Sequence, residues 1–375
     1  MSDPTVEHDD VASAAAKEPL PGSSMGRAPF PWLRAVVAVV LLVVAVALPY
    51  SINDEPLNIV CQVLYLAIAA MGLNLLTGFN GQVSIGHGAF FGFGAFTSAI
   101  LVVDHGWTFE MTIPVAAVVA GLVGAVMAIP ALRVKGLYLA LITLGLAVLF
   151  PVVTKKYVKG SGGIALLKPS RSEVSSMFPD MWSDDQYRYF VCLGLVVLLF
   201  LLAYNLMRSR VGRAIIAVRD QEVAASTVGI DVARVKVLTF AVSAAYAGVA
   251  GSLSVFVLRI ADATNPLVYF QLSIEFLIAM VIGGSATISG PVVGAIFLIW
   301  IRRQTDEGTD FLPRLLGVED RTEQLAPALL GGILIVLTYV LPEGFVGGFR
   351  KLKAKALQGR RPRPVANATA EPTPN

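Results

Sequence analysis

Two apolar spans are separated by a charged stretch, Arg213-Ala-Ile-Ile-Ala-Val-Arg-Asp-Gln-Glu222-Val-Ala-Ala-Ser-Thr-Val-Gly229-Ile-Asp231. Its apolar residues recur at helical spacing, and glycine is the favoured residue just beyond a helix end. The pattern predicts a short amphipathic helix that ends near Gly229. Two membrane helices can be joined without such a helix, so we expect it to dock onto a protein in the cytosol. The alternative is a helix that lies on the lipid headgroups, but its mixture of acidic and basic residues favours a protein groove.

The composition indicates a membrane protein. The chain has 375 residues, of which 55% are hydrophobic and 15% are charged, whereas soluble domains carry about 25% charged residues. The charged residues are concentrated in loops and tails. The sequence therefore predicts an all-α integral membrane protein, a polytopic helical bundle with short, Gly-interrupted segments.

About ten segments are long and apolar enough to be candidate transmembrane helices. They are Trp32–Tyr50, Leu57–Thr77, Gly88–Val103, Met111–Ala131, Gly136–Val153, Tyr189–Met207, Val237–Leu258, Leu267–Ile282, Pro291–Ile301 and Leu325–Leu341. An arrangement of eight or nine spans remains open, because Pro291–Ile301 is short.

The distribution of Lys and Arg predicts that both chain ends lie in the cytosol, because these residues concentrate in short cytosolic loops. The expected organisation is a polar cytosolic N-terminal tail over residues 1–31, a transmembrane permease domain over 32–341 and a basic, disordered cytosolic tail over 342–375. The permease domain includes the cytosolic coupling loop 208–236.

A glycine-rich segment without charged residues runs from Leu73 to Ala95. Irregular backbone at membrane depth survives only where protein covers it or where it lines a wet cavity. We therefore predict that this segment lines the substrate pathway; the alternative is a tight hairpin that turns at Asn80-Gly81. The candidate pathway residues here are Asn74, Gly78, Gln82, Ser84, Gly86 and His87.

A second broken apolar region contains Gly283-Gly284 and Gly290-Pro291. Interrupted helices of this kind mark pathways in many transporters. Glu275 is predicted either as a functional acid within a span or as a residue at the external interface. Glu275, Gly283 and Gly284 complete the candidate pathway residues. The two glycine-rich segments resemble each other weakly, as a parallel duplication would.

The sequence contains no phosphate-binding Gly-x-x-x-x-Gly-Lys-Ser/Thr motif, so we expect no ATPase activity from this chain. It shows no nucleophile–base pair and no spacing typical of metal ligands, and no catalytic or metal-binding residue is assigned. An enzyme is therefore not expected, and a transporter is. A stand-alone secondary transporter or channel remains an alternative.

Several motifs together resemble the branched-chain amino-acid ABC transporter permeases, specifically the LivM-type subunit. They are Gly72-Leu-Asn-Leu-Leu-Thr-Gly78, Gly81-Gln-Val-Ser-Ile-Gly-His-Gly-Ala-Phe-Phe91, Arg133-Val-Lys-Gly-Leu-Tyr-Leu-Ala-Leu-Ile-Thr-Leu144, Ser209-Arg-Val-Gly-Arg-Ala-Ile-Ile-Ala-Val-Arg219, Ala247-Gly-Val-Ala-Gly251 and Gly290-Pro-Val-Val-Gly-Ala295. The resemblance covers residues 57–341. One departure concerns Ala286, which stands where the family more often has glycine.

The resemblance implies an importer in a bacterial plasma membrane that carries branched-chain or other hydrophobic amino acids. Its partners would be a second permease subunit, two cytosolic ATPase subunits and an external substrate-binding protein, with no nucleic acid. This chain would lie in membrane lipid and bind no cofactor, since the partner subunits use the ATP. The same machinery could instead carry urea or short amides. The residues implied to couple to the ATPase are Arg213, Arg219, Asp220, Glu222, Ala224, Ala225 and Gly229.

Overall fold

The computed structural model describes residues 36, 40, 43–134, 136–157, 163–165, 183–265, 267–306, 332 and 344–348. The predicted last span, Leu325–Leu341, and nearly all of both tails lie outside the described residues. Residues 1–51 and 52–375 form two separate compact units. In the first unit, residues 43–47 are helical and lead into a 3-10 turn at Leu48–Tyr50.

The second unit is built from helices and one two-stranded sheet. In chain order its elements are α1 (Asp54–Leu73, continued by a π-helical turn at Asn74–Phe79), α2 (His87–His105), α3 (Phe109–Arg133), α4 (Leu137–Tyr157), β1 (Gly163–Ala165), α5 (Asp184–Arg208), α6 (Arg210–Asp220), α7 (Glu222–Thr227), α8 (Val232–Leu258), β2 (Ile260–Asp262), α9 (Val268–Gly283) and α10 (Gly290–Asp306). The strands β1 and β2 pair antiparallel, with Ile164 opposite Ala261.

Six of these helices are long and apolar enough to cross a membrane: α1 with its π turn, α2, α3, α4, α5 and α8. They correspond to the second to seventh predicted spans, so an all-α, multi-pass membrane protein is confirmed. The eighth and ninth predicted spans are the shorter helices α9 and α10, with 16 and 17 residues. The predicted number of about ten spans is therefore not confirmed by the described residues.

Four connecting segments meet at one end of the bundle. They are residues 80–86, the turn between α3 and α4, residues 209–231 with α6 and α7, and the loop 284–289 between α9 and α10. We call this the basic end, because the arginines around α6 lie there. Residues 344–348 also reach it, since Gly344 lies against the backbone of Gly284.

The central helix is α8, which packs most extensively against α1, α2 and α3. Glycines allow this close approach: a Cβ atom on Gly251 would overlap the carbonyl oxygen of Phe91, and one on Gly94 would overlap that of Gly248. The hydroxyl of Ser98 donates a hydrogen bond of 2.7 Å to that of Ser252 across the same contact. Small residues of this kind hold membrane helices together, because lipid provides no hydrophobic driving force between them.

The outer helices expose apolar side chains. On α3, Met111, Val118, Leu122 and Val126 are 58–63% exposed and recur at the spacing of one helical face. A soluble protein would bury such a stripe, whereas lipid tails solvate it. This surface is therefore consistent with a helix that faces the membrane.

The close approach of α2 and α8 gives the first prediction. Gly251→Ala should lower the free energy of unfolding by about 1–3 kcal/mol, because the added Cβ would overlap the backbone at Phe91. Gly194→Ala on α5 is the matched control, since its Cβ would meet nothing within 4 Å. The midpoint of unfolding in detergent is measured for both variants. Equal midpoints would contradict the close packing of α8 against α2 at Gly251.

Candidate functional site

The predicted coupling stretch forms two helices, so the prediction of one continuous helix is wrong. Helix α6 ends at Asp220, and Gln221 takes an extended conformation with φ −155° and ψ 107° before α7 begins at Glu222. The carboxylate of Glu222 lies 2.5 Å from the ammonium of Lys236, which is buried near the start of α8. This ion pair links the start of α7 to α8.

The two helices have different surroundings. Helix α6 buries Ile215 and Val218 against the bundle. In contrast, Val223 on α7 and Val228 just beyond its end are 76% and 75% exposed. Ala224 is also exposed, and Ala225 is buried. The basic end therefore presents an exposed apolar ridge, made of Val223, Ala224 and Val228, at a short helix.

Arg219 connects α6 with the end of α1. Its Nη1 donates a hydrogen bond of 3.1 Å to the carbonyl oxygen of Gly78, and its Nε lies 3.2 Å from the carboxylate of Asp220. Gly81 allows this approach, because a Cβ there would lie 2.8 Å from the Arg219 side chain. Gly81 also has φ +74°, a left-handed conformation that favours glycine. Arg213, in contrast, is exposed and bonds only locally, to the carbonyl of Arg208 at 3.3 Å.

A cavity of about 180 Å³ lies between this turn, the α3–α4 turn and the two coupling helices. Asn80 and Gln82 line it and are only 3% and 7% exposed. Within the described part of the chain, the side-chain amide atoms of both residues have no hydrogen-bond partner. Unpaired buried amides are costly, so this recess is suited to a polar group from outside the chain.

Asn74 joins the two glycine-rich segments. It opens the π-helical turn of α1, a distortion that occurs frequently at functional sites. Its Nδ2 donates to the carbonyl oxygen of Thr287 and its Oδ1 accepts from the amide of Ala286, both at 2.8 Å. A Cβ on Gly78 would overlap the Asn74 side chain. The segments that resemble each other in sequence are thus in direct contact.

Ala286 has φ +55°, a left-handed conformation that costs a residue other than glycine about 1–2 kcal/mol. This is the position where the sequence has alanine in place of the glycine that is more frequent in the resembling permeases. Two neighbouring hydrogen bonds hold the loop: the Ala286 amide donates to Oδ1 of Asn74 at 2.8 Å, and the Thr287 hydroxyl donates to the carbonyl oxygen of Gly284 at 2.7 Å. The strain is consistent with a functional loop.

Ser84, Gly86 and His87 lie in the packed interior at the start of α2. A Cβ on Gly86 would overlap the carbonyl of Thr143 on α4. The His87 ring packs edge-on against Phe90 and Phe276, with ring centres 6.1 Å apart in each case. Their predicted role in the substrate pathway stays a prediction.

Glu275 lies half-way along α9 and is 4% exposed, so it is buried within the bundle. Its role, as a functional acid within a span or a residue at the external interface, stays a prediction. Its Oε2 is 3.6 Å from Nη1 of Arg302 on α10, and its Oε1 accepts a weak hydrogen bond of 3.4 Å from Gln271. Gly283 and Gly284 lie further along, where α9 ends against the start of α10; a Cβ on Gly283 would overlap the carbonyl of Gly290. The candidate residues therefore fall into two groups, one at the basic end and one inside the bundle.

The chain is similar to proteins of a known family over most of its length. Residues 56–338 match the family model described as the permease component of branched-chain amino acid transport systems. The chain belongs to this family. The earlier resemblance to LivM-type permeases is thereby confirmed, and a urea or short-amide carrier is not favoured.

Individual relatives agree with the permease family. The high-affinity branched-chain amino acid transport permease LivM of Salmonella typhimurium is 29% identical over 85% of this chain and 77% of its own length. LivM of Escherichia coli K12 is 29% identical over 86% and 78%. LivH of the same bacterium is 27% identical over 62% of this chain and 79% of its own length. No solved structure matches the chain.

Sequence reasoning missed the partners of several candidate residues. Lys236, Thr287 and Arg302 contact Glu222, Asn74 and Glu275, respectively. A lysine at the start of a membrane helix looks like an ordinary flanking residue, and Arg302 lies just beyond the predicted span Pro291–Ile301. An apolar segment that carries one acid is nevertheless a signal to search the next segment for a base.

The bonds of Asn74 give the second prediction. In Asn74→Asp the carboxylate can accept from Ala286 but cannot donate to the carbonyl of Thr287, which should cost about 1–3 kcal/mol of stability. Asn58→Asp is the control, because Asn58 only accepts there, from Gln62 at 3.2 Å. The unfolding midpoint and amino-acid uptake are measured for both variants. An Asn74→Asp protein that matches the control would show that the hydrogen bonds of Asn74 do not stabilise the loop between α9 and α10.

Proposed function

We propose that this chain is a membrane-spanning subunit of an ATP-driven importer for branched-chain amino acids. The family and the LivM and LivH relatives support a pair of permease subunits. Within the pair, the exposed α7 at the basic end is the observation that carries the coupling role. Two cytosolic ATPase subunits and an external binding protein complete the proposed machine, which belongs in a bacterial plasma membrane.

The proposed orientation places the basic end in the cytosol. Arg133, Arg208, Arg210, Arg213 and Arg234 all lie in or beside its connecting segments. Lys and Arg in short loops favour the cytosolic side. The start of the basic C-terminal tail also reaches this end, through Gly344, so both features favour the same orientation.

The proposed docking element is the ridge on α7. Val223 and Ala224 on α7 and Val228 just beyond its end are exposed, and the fully buried core of a protein interface is more apolar than the rest of the surface. Glu222 has a different task, because it faces Lys236 of α8. We therefore assign Glu222 to holding α7 in place, and the exposed ridge to contact with the ATPase.

Two connections would carry a displacement of α7 into the bundle. The ion pair of Glu222 with Lys236 pulls on the first turn of α8, the central helix. The bond from Arg219 to Gly78 pulls on the π-helical turn of α1, and Asn74 passes this movement to the α9–α10 loop. ATP binding by the partner subunits would thus change the packing of α1, α8 and α9 together.

The third prediction tests this docking element. Val223→Glu with Ala224→Arg should abolish co-purification of the ATPase and lower uptake of leucine by about tenfold or more. Both positions are exposed, so the unfolding midpoint should stay near that of the wild type. Glu222 is a poorer target, because its loss would leave Lys236 buried without its counter-ion.

Val103→Glu is the matched control, since Val103 is 51% exposed and lies near the end of α2 that is farther from the basic end. It should retain the ATPase and transport normally. Normal ATPase retention in the Val223/Ala224 variant would refute docking through α7. Uptake that resists ATP depletion and follows an ion gradient would instead favour the secondary transporter.

A further inference from the structure

The cavity at the basic end brings the ends of several helices together around Asn80 and Gln82. We call it the amide recess, after these two side chains. Asn80 directly follows the π-helical turn of α1, and Gln82 lies in the segment that leads to α2. The remaining walls come from the ends of α3 and α6 and from the starts of α4, α7 and α8. A group that enters the recess therefore contacts most of the helices that meet at this end.

The side-chain amides of Asn80 and Gln82 are the unsatisfied part of this wall. Both side chains are buried, and their amide atoms have no hydrogen-bond partner in the part of the chain that the structure describes. The backbone of Gln82, in contrast, is held on both sides: its carbonyl accepts from the Thr77 hydroxyl at 2.9 Å, and its N–H donates to the carbonyl of Leu76 at 3.1 Å. Buried amides are rarely left unpaired, so the fixed loop offers them to a group from outside.

The charged side chains of the recess are already paired. Arg219 lies against Asp220 and bonds the carbonyl of Gly78, and Lys236 lies against Glu222. Two positive and two negative charges therefore leave the wall close to neutral. An anionic lipid head group would need an unbalanced basic pocket, and a free amino acid would bring two charged ends to groups that are already paired. The balance of charge favours an uncharged polar occupant.

The size of the recess limits the occupant to about one side chain. Its volume is about 180 Å³. A cavity of about 150 Å³ can hold a benzene molecule, whereas pockets for drug-sized ligands measure about 300–1,000 Å³. Ala131, Leu139 and Val218 provide an apolar part of the wall, which suits the aliphatic carbons of a side chain that carries a polar tip.

The amide recess lies beside the exposed ridge of Val223, Ala224 and Val228. Asp220 and Gln221 line the recess and are themselves exposed, so they mark its mouth. Val223 follows Gln221 by two residues. A protein that covers the ridge therefore also reaches this opening.

We propose that the ATPase subunit that docks on α7 inserts one uncharged polar side chain into the amide recess. The occupant is an asparagine, glutamine, serine or threonine, because Asn80 and Gln82 each offer a donor and an acceptor. This inference rests on the proposed function and adds to it a second contact with the motor, of stated chemistry.

The inserted side chain would give the motor a direct hold on the first half of the bundle. Its hydrogen bonds would fall on the end of α1 and on the segment before α2, and its aliphatic part would touch the turn between α3 and α4. The ion pair of Glu222 with Lys236 reaches only α8. The two contacts together would move both sides of the central packing.

The test compares ATPase retention with the stability of the permease. The importer, assembled with its second permease and ATPase subunits, is diluted, and the fraction that keeps the ATPase gives an apparent Kd. Gln82→Met has a similar shape but no amide, and it should raise this Kd about threefold to tenfold. The unfolding midpoint of the full chain in detergent should stay equal or rise, because an unpaired buried amide is removed. Asn80→Leu removes the other amide and repeats the test independently.

Gln62→Met is the matched control. It removes the same amide from the half of α1 that is farther from the basic end, where Gln62 bonds only locally, to Asn58 at 3.2 Å. It should leave the apparent Kd unchanged. Gln82→Glu tests the chemistry of the occupant: it adds an unbalanced negative charge, so it should weaken ATPase retention at least as much as Gln82→Met.

Four results would count against the proposal. An unchanged Kd in both Gln82→Met and Asn80→Leu would show that only water enters the recess. A lower unfolding midpoint in both would show that the amides are bonded within the chain. Tighter ATPase binding by Gln82→Glu would indicate a cationic occupant. Wild-type permease that retains no ATPase would instead overturn the proposed function, and the recess proposal with it.

Discussion

The fold depends on the close approach of the α8 backbone to its neighbours. Gly94, Gly248 and Gly251 let the main chains of α2 and α8 come nearly into contact, and dispersion then replaces the hydrophobic effect that lipid cannot supply. Because α8 packs against α1, α2 and α3 at once, its position determines theirs. Tightly packed interiors transmit strain, so we expect a displacement near the start of α8 to reach these neighbouring helices.

The buried charges are placed where such a displacement would act. Lys236 lies near the start of α8, and its partner Glu222 opens the short helix that we propose docks the ATPase. Arg219 reaches the end of α1 from the same side. Deep in the bundle, Arg302 and Glu275 join α9 to α10. The polar contacts thus lie along the proposed route from the motor into the bundle, while the exposed stripe of α3 is apolar.

The sequence predicted the elements that depend on local pattern. The second to seventh predicted spans agree with the helices to within a few residues at most ends. This is because a run of about 20 apolar residues is long enough to form a membrane-spanning helix. The pairs Gly283-Gly284 and Gly290-Pro291 correctly indicated the break between α9 and α10. The positive φ of Gly81 accords with the glycine that the sequence places there.

Features that depend on distant contacts could not be predicted. The break at Gln221 lies beside the ion pair of Glu222 with a lysine on the next span. The partners of Asn74 lie more than 200 residues away, and no periodicity in the sequence indicates them. The predicted span Pro291–Ile301 ends before Arg302, whereas α10 continues to Asp306.

The central claim is that α7 contacts a motor protein, and photo-cross-linking from position 223 in living cells tests it most directly. A benzophenone side chain placed there should form a covalent product with an ATPase subunit, identified by mass spectrometry. That product is expected because Val223 is the most exposed apolar side chain on α7. Cross-links to lipid alone would contradict the claim and show that α7 lies on the membrane surface.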